Sequence, residues 1–384
     1  MARLTPAPMR ICVLNAGSST LKASIVLAET DADPAIAAEK TVEWPAGAEE
    51  ADDVVRQAID ALGSSPEAVG YRVVHGGSTY RAASRVDAAL VADVESLDAL
   101  APLHNRRAAA AMRAGLATLP RVPHVACFDT AFHATLPEAA WRYPLPTEWV
   151  DRFGIRRYGF HGLSVAWATR RAAALMRRPE RELGLVVAHL GSGCSVTAVQ
   201  GGRSVGTSMG LTPYEGLMMG TRAGSVDPGI LLHLASHGIT VDELADGLAR
   251  RSGLLAIGGS ADVRHLEQAA GTGDAGAALA LDMFARHAAE AVAAAATTLN
   301  RFDGLVFTGG IGENAVGVRA NILRRLRALG LPRPGHHGSD RAARTPDSVL
   351  QHGPPAVLVV AARENLVIGT EVAALIEDEH PADA

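Results

Sequence analysis

Residues 11–22 read Ile-Cys-Val-Leu-Asn-Ala-Gly-Ser-Ser-Thr-Leu-Lys, and this stretch decides the fold. A short apolar strand runs to Asn15, a turn of small residues follows, and a second strand carries Lys22. Gly17, Ser18, Ser19 and Thr20 have so little bulk that their backbone N–H groups and hydroxyls can close around a phosphate. The design recurs at residues 184–199, where an apolar strand ends at His189, turns through Gly191-Ser192-Gly193 and returns as a strand. Two such hairpins, about half a chain apart, predict a duplicated architecture with two phosphate loops facing each other across a cleft.

A chain of 384 residues is too long for one ordinary core, so two domains are expected. Its 48% hydrophobic and 20% charged residues are those of a globular protein. A net charge of -5 gives no reason to expect nucleic acid, and anions would have to be bound by local arginines. Cys12, Cys127 and Cys194 are odd in number, widely spaced and in or beside apolar strands, which predicts buried reduced thiols. Residues 1–8 hold two prolines, an arginine and no long apolar run, so they read as a disordered extension, with Met9 as an alternative start. The apolar run 288–299 is too short for a bilayer and contains Glu290, so no membrane contact and a cytoplasmic location are expected.

Along the chain, residues 10–28 read as a β-hairpin, 51–62 as a helix, 69–74 as a strand, 93–118 as mostly helical with a break near Pro102, and 122–128 as a strand. Three prolines make 137–146 irregular, and the crossing between domains is placed there. Helices are predicted over 164–176, 230–237, 241–250 and 275–300, with the second hairpin and a third strand after Gly201-Gly202. A strand at 304–307 opens into Thr308-Gly309-Gly310-Ile311-Gly312-Glu313-Asn314 and a helix. Residues 329–355 read as loop, followed by a strand at 356–361 and a last helix to about 376. Alternating strands and helices give an α/β class with mixed sheets, and the last helix is expected to return to the N-terminal domain.

Polar groups collect at strand ends, where α/β proteins hold their ligands. Arg72 sits inside an apolar strand and must face water or an anion. Arg222, flanked by Gly220 and Gly224, reads as an anion-facing guanidinium, and two arginines can hold a carboxylate and a phosphoryl group bidentately. His161 is either a structural histidine or a donor to a developing phosphoryl charge. Asp129 ends a buried strand, where a carboxylate binds a metal, orients an arginine or caps a helix. Glu364 either faces solvent or helps hold magnesium through water. Gly309 to Gly312 lie where a strand opens into a helix, a nucleotide-like geometry that fits neither a Walker A loop nor the dinucleotide fingerprint.

These segments occur together and in order: residues 15–22, Arg-Val-Val-His-Gly-Gly at 72–77, Ala-Pro-Leu-His-Asn at 101–105 and Phe-Asp-Thr-Ala-Phe-His at 128–133. They continue with Arg-Tyr-Gly-Phe-His-Gly at 157–162, His-Leu-Gly-Ser-Gly at 189–193, the run from Thr207 to Arg222, and Thr-Gly-Gly-Ile-Gly-Glu-Asn at 308–314. In this combination the chain resembles the acetate/propionate kinase family of the actin, hexokinase and Hsp70 superfamily. The resemblance implies a duplicated RNase H-like, actin-like ATPase fold with mixed central sheets. Its domains would be 9–131 plus 363–384 on the acyl-substrate side and 132–362 on the nucleotide side. It implies magnesium at Asn15 and Glu364, with manganese able to replace it. ATP and ADP are the implied co-substrates, contacted by Lys22, His189, Leu190, Gly191, Ser192, Gly193, Asp262, Val263, Arg264, Gly310, Ile311, Gly312, Glu313 and Asn314. Arg72 matches the substrate-carboxylate arginine, and Val74, Leu103, Phe160 and Pro213 the pocket for the substrate methyl group. Asp129, His161 and Arg222 match the catalytic positions, and a homodimer is implied.

Four departures from the family pattern stand out: Ser192 where asparagine is usual, Gly206 for aspartate, the less acidic Gly224-Ser225-Val226-Asp227, and Arg363-Glu364-Asn365 for Asn-Glu-Glu. The implied reaction is in-line transfer of the ATP γ-phosphoryl group to acetate. A carboxylate is already ionised at neutral pH, so Asp129 is expected to position magnesium or an arginine rather than accept a proton. The rival substrate readings are propionate and short-chain acids generally. The rival of another class is a non-catalytic or chaperone-like ATPase module.

Overall fold

The computed structural model describes residues 7–17, 19–29, 33–45, 51–101, 104–331 and 347–379. Leu103, Ser18 and residues 1–6 of the expected extension lie outside the described residues. The chain divides into two compact units, Met1–Phe132 with Arg363–Ala384, and His133–Ala362.

In the first unit, strands β1 (Met9–Ala16) and β2 (Thr20–Ala28) form the opening hairpin, with Asn15 paired to Lys22 beside the turn. Gly17 N–H closes that turn on the Thr20 carbonyl at 2.8 Å. β3 (Ala35–Glu43) adds to β2, while β4 (Ala68–Val73) and β6 (His124–Phe128) continue parallel to β1, and the two-residue β5 (Ser84–Arg85) closes the far edge. Side chains alternate across this sheet. Cys12, Leu14, Val69 and Tyr71 belong to the core under helices Ala51–Asp60 and Asn105–Thr118. The opposite face, at Gly70, touches Ile368 and Val372 of the last helix, Glu364–Glu379. A methyl group at Gly70 would lie 2.6 Å from Ile368, and one at Gly369 would lie 2.5 Å from Val26, so that helix seats against the sheet through glycine.

The second unit repeats the plan. β7 (Gly184–Leu190) and β8 (Cys194–Gln200) form its hairpin, and β9 (Arg203–Thr207) adds to β8. β10 (Gly304–Thr308) and β12 (Ala356–Val359) run parallel to β7, and β11 (Ser348–Gln351) closes the edge. Sheet order is β3-β2-β1-β4-β6-β5 in the first unit and β9-β8-β7-β10-β12-β11 in the second. The two are topologically identical, down to an antiparallel edge strand that precedes its neighbour in sequence. The duplicated α/β architecture expected from the two hairpins is therefore present. The central strands of the second sheet are buried on both faces, under helices Gly162–Met176 and Ala275–Ala296.

Local differences from the sequence reading are small. The helical stretch expected over 93–118 is two helices, Ala88–Ser96 and Asn105–Thr118, with a 3-10 turn at Leu97–Leu100 between them. Part of the expected 329–355 loop is strand β11. The three cysteines are buried and free, and burial pushes the Cys12 and Cys194 thiols up to about 12. Among the described residues no helix is long and apolar enough to cross a membrane.

Candidate active site

Three parallel strands of the first unit end side by side, and each delivers a polar group at that end: Asn15 from β1, Arg72 from β4 and Asp129 just beyond β6. Asp129 extends the ladder by one bond, its N–H donating to the Val73 carbonyl at 2.9 Å. Arg72 Nε and Nη2 donate to the two Asp129 carboxylate oxygens at 3.2 and 2.7 Å, a bidentate pair. Glu364, at the start of the last helix, brings Oε2 to 3.3 Å from Arg72 Nε and accepts from Asn15 Nδ2 at 3.2 Å. Asp129 is 1% exposed and Arg72 18%. Burial alone would pull the guanidinium down, but the Asp129 and Glu364 carboxylates outweigh it and hold Arg72 charged, above its ordinary value. Lys22 is exposed and Val74 is buried one residue past β4.

The second unit gathers a different set. The β7–β8 turn is closed by Gly191 N–H on the Gly193 carbonyl at 3.0 Å. The rings of His161 and His189 stack with centroids 4.1 Å apart and planes at 18°. His161 has φ 58° and ψ 23° just before helix Gly162–Met176, a left-handed conformation that costs a non-glycine residue about 1 kcal/mol or more. The neighbouring backbone is fixed by buried His133, whose Nε2 bonds the Phe160 carbonyl at 3.0 Å while Ser204 Oγ lies 2.9 Å from Nδ1. Phe160 is itself buried. A side chain at Gly193 would come within 3.2 Å of His161 Nε2 and 3.4 Å of Arg222 Nη1, so glycine is what lets the loop approach both.

Arg222 is half-buried and donates to the carbonyl of buried Pro213 at 3.0 Å. Burial lowers its pKa, and among the described residues no carboxylate forms an ion pair with it. The segment that carries Pro213 is fastened by Arg157, which donates to the Ser208 and Met209 carbonyls at 3.1 and 3.0 Å and pairs with Glu215 at 2.6 Å. Tyr143 also bonds Glu215. Gly220 N–H reaches the Ser192 carbonyl at 3.4 Å, and Ala261 lies against Gly220, so the segment preceding Asp262 borders the glycine loop. Asp262 caps helix Val263–Gly271 and pairs with exposed Arg264, whose hydrogen bonds hold the carboxyl down at about 2. Beyond β10, Gly309 has φ 77°, and a side chain there would meet the Leu190 carbonyl at 2.7 Å and His189 Nε2 at 3.1 Å. The short helix Gly309–Asn314 that follows is held by Arg319, which donates to the Gly312 and Glu313 carbonyls at 2.7 Å each.

The first unit thus brings together Asn15, Arg72, Asp129 and Glu364. The second brings together His161, His189, Gly193 and Arg222, with Gly309 against His189. Over residues 45–370 the sequence matches the Acetokinase family. The chain belongs to the acetokinase family. Among its relatives, the acetate kinase of Deinococcus radiodurans is 42% identical over 388 residues, 95% of this chain and 97% of that one. The acetate kinase of Gloeobacter violaceus is 40% identical over 400 residues, 94% of this chain and 98% of its own. The crystal structure of a propionate kinase from Francisella tularensis superposes with a TM-score of 0.82 at 34% identity, covering 94% of this chain and 98% of that chain. The crystal structure of Porphyromonas gingivalis acetate kinase has the same TM-score, 0.82, at 29% identity, covering 96% of this chain and all of its own.

The sequence motifs assign no role to the groups that brace the second unit's cluster: Ser164, whose Oγ lies 2.8 Å from His189 Nδ1, Ser195, whose Oγ lies 3.0 Å from His161 Nδ1, His133, and the Arg157–Tyr143–Glu215 fastening. His133, Arg157 and Glu215 stand inside the quoted motifs without a role of their own, and the hairpin turning at Gly191-Ser192-Gly193 sets Ser195 opposite His189.

Proposed function

We propose that this acetokinase-family chain transfers the γ-phosphoryl group of ATP to acetate, reversibly, giving acetyl phosphate and ADP. The observation that carries the reading is Arg222: a half-buried guanidinium beside a glycine loop and a stacked histidine pair, with no carboxylate paired to it among the described residues. Such a cluster favours an anion whose charge grows during reaction. In the proposed reaction an acetate oxygen forms a bond to the γ-phosphorus as the bond to the ADP oxygen breaks. Acetate is already ionised near neutral pH, so no base is needed. Asp129, engaged bidentately by Arg72, has the role of holding that guanidinium toward the acetate carboxylate. Val74, Phe160 and Pro213 are proposed to enclose the methyl group. Lys22, the Gly191–Gly193 turn, Asp262–Arg264 and Gly310–Asn314 are proposed to hold the nucleotide, and His161 and Arg222 to stabilise the transferring group by positioning and charge.

Magnesium is the proposed metal. The oxygen donors Asn15 Oδ1 and the Glu364 carboxylate suit a hard cation, and two protein donors leave coordination positions for water and phosphate oxygens. Among the described residues no cluster of three or more His, Cys, Asp or Glu side chains could hold an ion. When bound it would neutralise phosphate charge.

A cytoplasmic location and a homodimer are also proposed. Ile230, Leu232, Leu234 and Val241 are exposed on the second unit, Leu232 at 74% and Val241 at 80%, and pairing of two copies would cover them. Sedimentation equilibrium tests the dimer. The relative from F. tularensis keeps propionate in view as a second substrate, and one methylene changes discrimination by only about 1–3 kcal/mol. A hydroxamate assay with acetate, propionate and butyrate tests the function. Acyl phosphate with acetate is the expected result, and ATP binding without any acyl phosphate would refute the reading.

A further inference from the structure

Both stacked imidazoles of the second unit have Nδ1 committed to a buried serine. Ser195 Oγ lies 3.0 Å from His161 Nδ1, and Ser164 Oγ lies 2.8 Å from His189 Nδ1. The bonds are crossed. Ser164 stands three residues after His161 yet braces His189, while Ser195 stands opposite His189 in the hairpin yet braces His161. Both serines are 0% exposed.

A serine hydroxyl has one proton, which rotates toward whatever acceptor is in reach. For each of these two hydroxyls, the side-chain hydrogen bond among the described residues is the one to imidazole. If Nδ1 were the donor, the hydroxyl proton would be left buried without an acceptor, at a cost of about 1–3 kcal/mol. The hydroxyl therefore donates and Nδ1 accepts. Two positive rings stacked at 4.1 Å, with Arg222 close by, would repel one another, which favours the neutral form. In a neutral imidazole whose Nδ1 accepts, the proton resides on Nε2.

We propose that Ser195 and Ser164 are positioning residues that fix His161 and His189 as a pair of Nε2–H donors for the transferring phosphoryl group. Both Nε2 atoms border the glycine turns: a Cβ at Gly193 would lie 3.2 Å from that of His161, and one at Gly309 would lie 3.1 Å from that of His189. The opposite tautomer would turn a lone pair toward an anion. The crossed bracing also links the two rings: displacing the hairpin moves Ser195, and with it His161, as well as His189. This inference rests on the reading of the second unit as a phosphoryl-transfer site, but the tautomer can be read without reference to activity.

The test combines nitrogen spectroscopy with kinetics on the full-length protein. Ring 15N shifts of histidine-labelled enzyme, assigned by signals lost in His161→Gln and His189→Gln, are expected to show the Nε2–H pattern for both residues near neutral pH. The Nδ1–H pattern at either one overturns the proposal, and this readout needs no substitution at a serine. Ser195→Ala is expected to lower kcat roughly tenfold to a hundredfold, the scale on which outer partners of functional imidazoles act. KM for ATP and acetate should stay within about twofold, as expected for an interaction made in the transition state. His161 should lose its pure Nε2–H pattern in that variant. Ser195→Thr, which keeps the hydroxyl on the same carbon, should recover most of the rate. An unchanged kcat in Ser195→Ala, or a fall in kcat with the His161 signals unaltered, overturns the positioning role. Wild-type protein that shows both Nε2–H patterns but makes no acyl phosphate supports the tautomer assignment and refutes the assigned reaction.

Discussion

Arg72 and Arg222 are both proposed to bind anions, yet their surroundings predict opposite consequences of removing them. Arg222→Ala deletes a half-buried guanidinium that has no carboxylate partner among the described residues. The fold loses a hydrogen bond to the Pro213 carbonyl, about 1 kcal/mol, and is relieved of a desolvated charge, so stability should change by about 1 kcal/mol or less. Transition-state stabilisation should fall by about 3–4 kcal/mol, a few hundredfold in kcat. Arg72→Ala instead leaves the Asp129 carboxylate, 1% exposed, without its bidentate partner. Removing one member of a buried ion pair costs about 3–5 kcal/mol, so this variant should lose stability as well as activity. Urea denaturation measures the first quantity and hydroxamate-coupled kinetics the second. Arg222→Ala that is as unstable as Arg72→Ala, or that keeps more than about a tenth of wild-type kcat, would refute the assignment of Arg222 to an anion.

Three further outcomes are expected. Burial lowers the His133 pKa to about 4, below its ordinary 6.5, so the unfolded chain binds more protons between those values and stability rises with pH across that window. Urea titrations from pH 4 to 7 should lose up to about 3 kcal/mol of this contribution at the acid end, and His133→Gln should flatten that part of the profile. Gly193→Ala places a methyl group 3.2 Å from His161 Nε2 and 3.4 Å from Arg222 Nη1 without any positive-φ strain, so kcat should fall while the urea midpoint stays put; a wild-type kcat would mean the loop does not approach the reacting group. Chelation with EDTA should abolish acetyl phosphate formation and magnesium should restore it, with activity in metal-free buffer as the contrary result.

The sequence carries a good deal of this arrangement because the informative residues sit in regular elements. Arg72 and Asp129 can be placed together once two apolar strands are recognised, since parallel pairing of β4 and β6 sets Val73 beside Phe128 and carries Asp129 to the same end. The glycines of both hairpins stand out for the same reason: they interrupt apolar runs. β3 is harder to see. Its sequence, Ala-Ile-Ala-Ala-Glu-Lys-Thr-Val-Glu, is mostly exposed and rich in alanine, so neither alternation nor β-branching marks it. β11 lies in a stretch of prolines, glycines and histidines that reads as loop, and its strand character comes from pairing with β12. The polar braces are less legible still. Ser164, Ser195, His133 and Arg157 matter through partners 25 to 71 residues away, and nothing in their immediate neighbours announces it.

The last helix has a consequence for how the protein is made. Ile368 and Val372 cover Gly70 on one face of the first sheet, and Glu364 at the head of that helix joins Arg72 and Asn15. During synthesis the ribosome completes the whole of His133–Ala362 before the residues that finish the first sheet emerge. Until then a nascent chain displays one bare apolar sheet face and an Arg72 lacking Glu364. Docking of this helix, rather than the folding of either hairpin, completes both the sheet face and the Arg72 cluster, and a polypeptide cut before Glu364 would expose this face to chaperones and proteases.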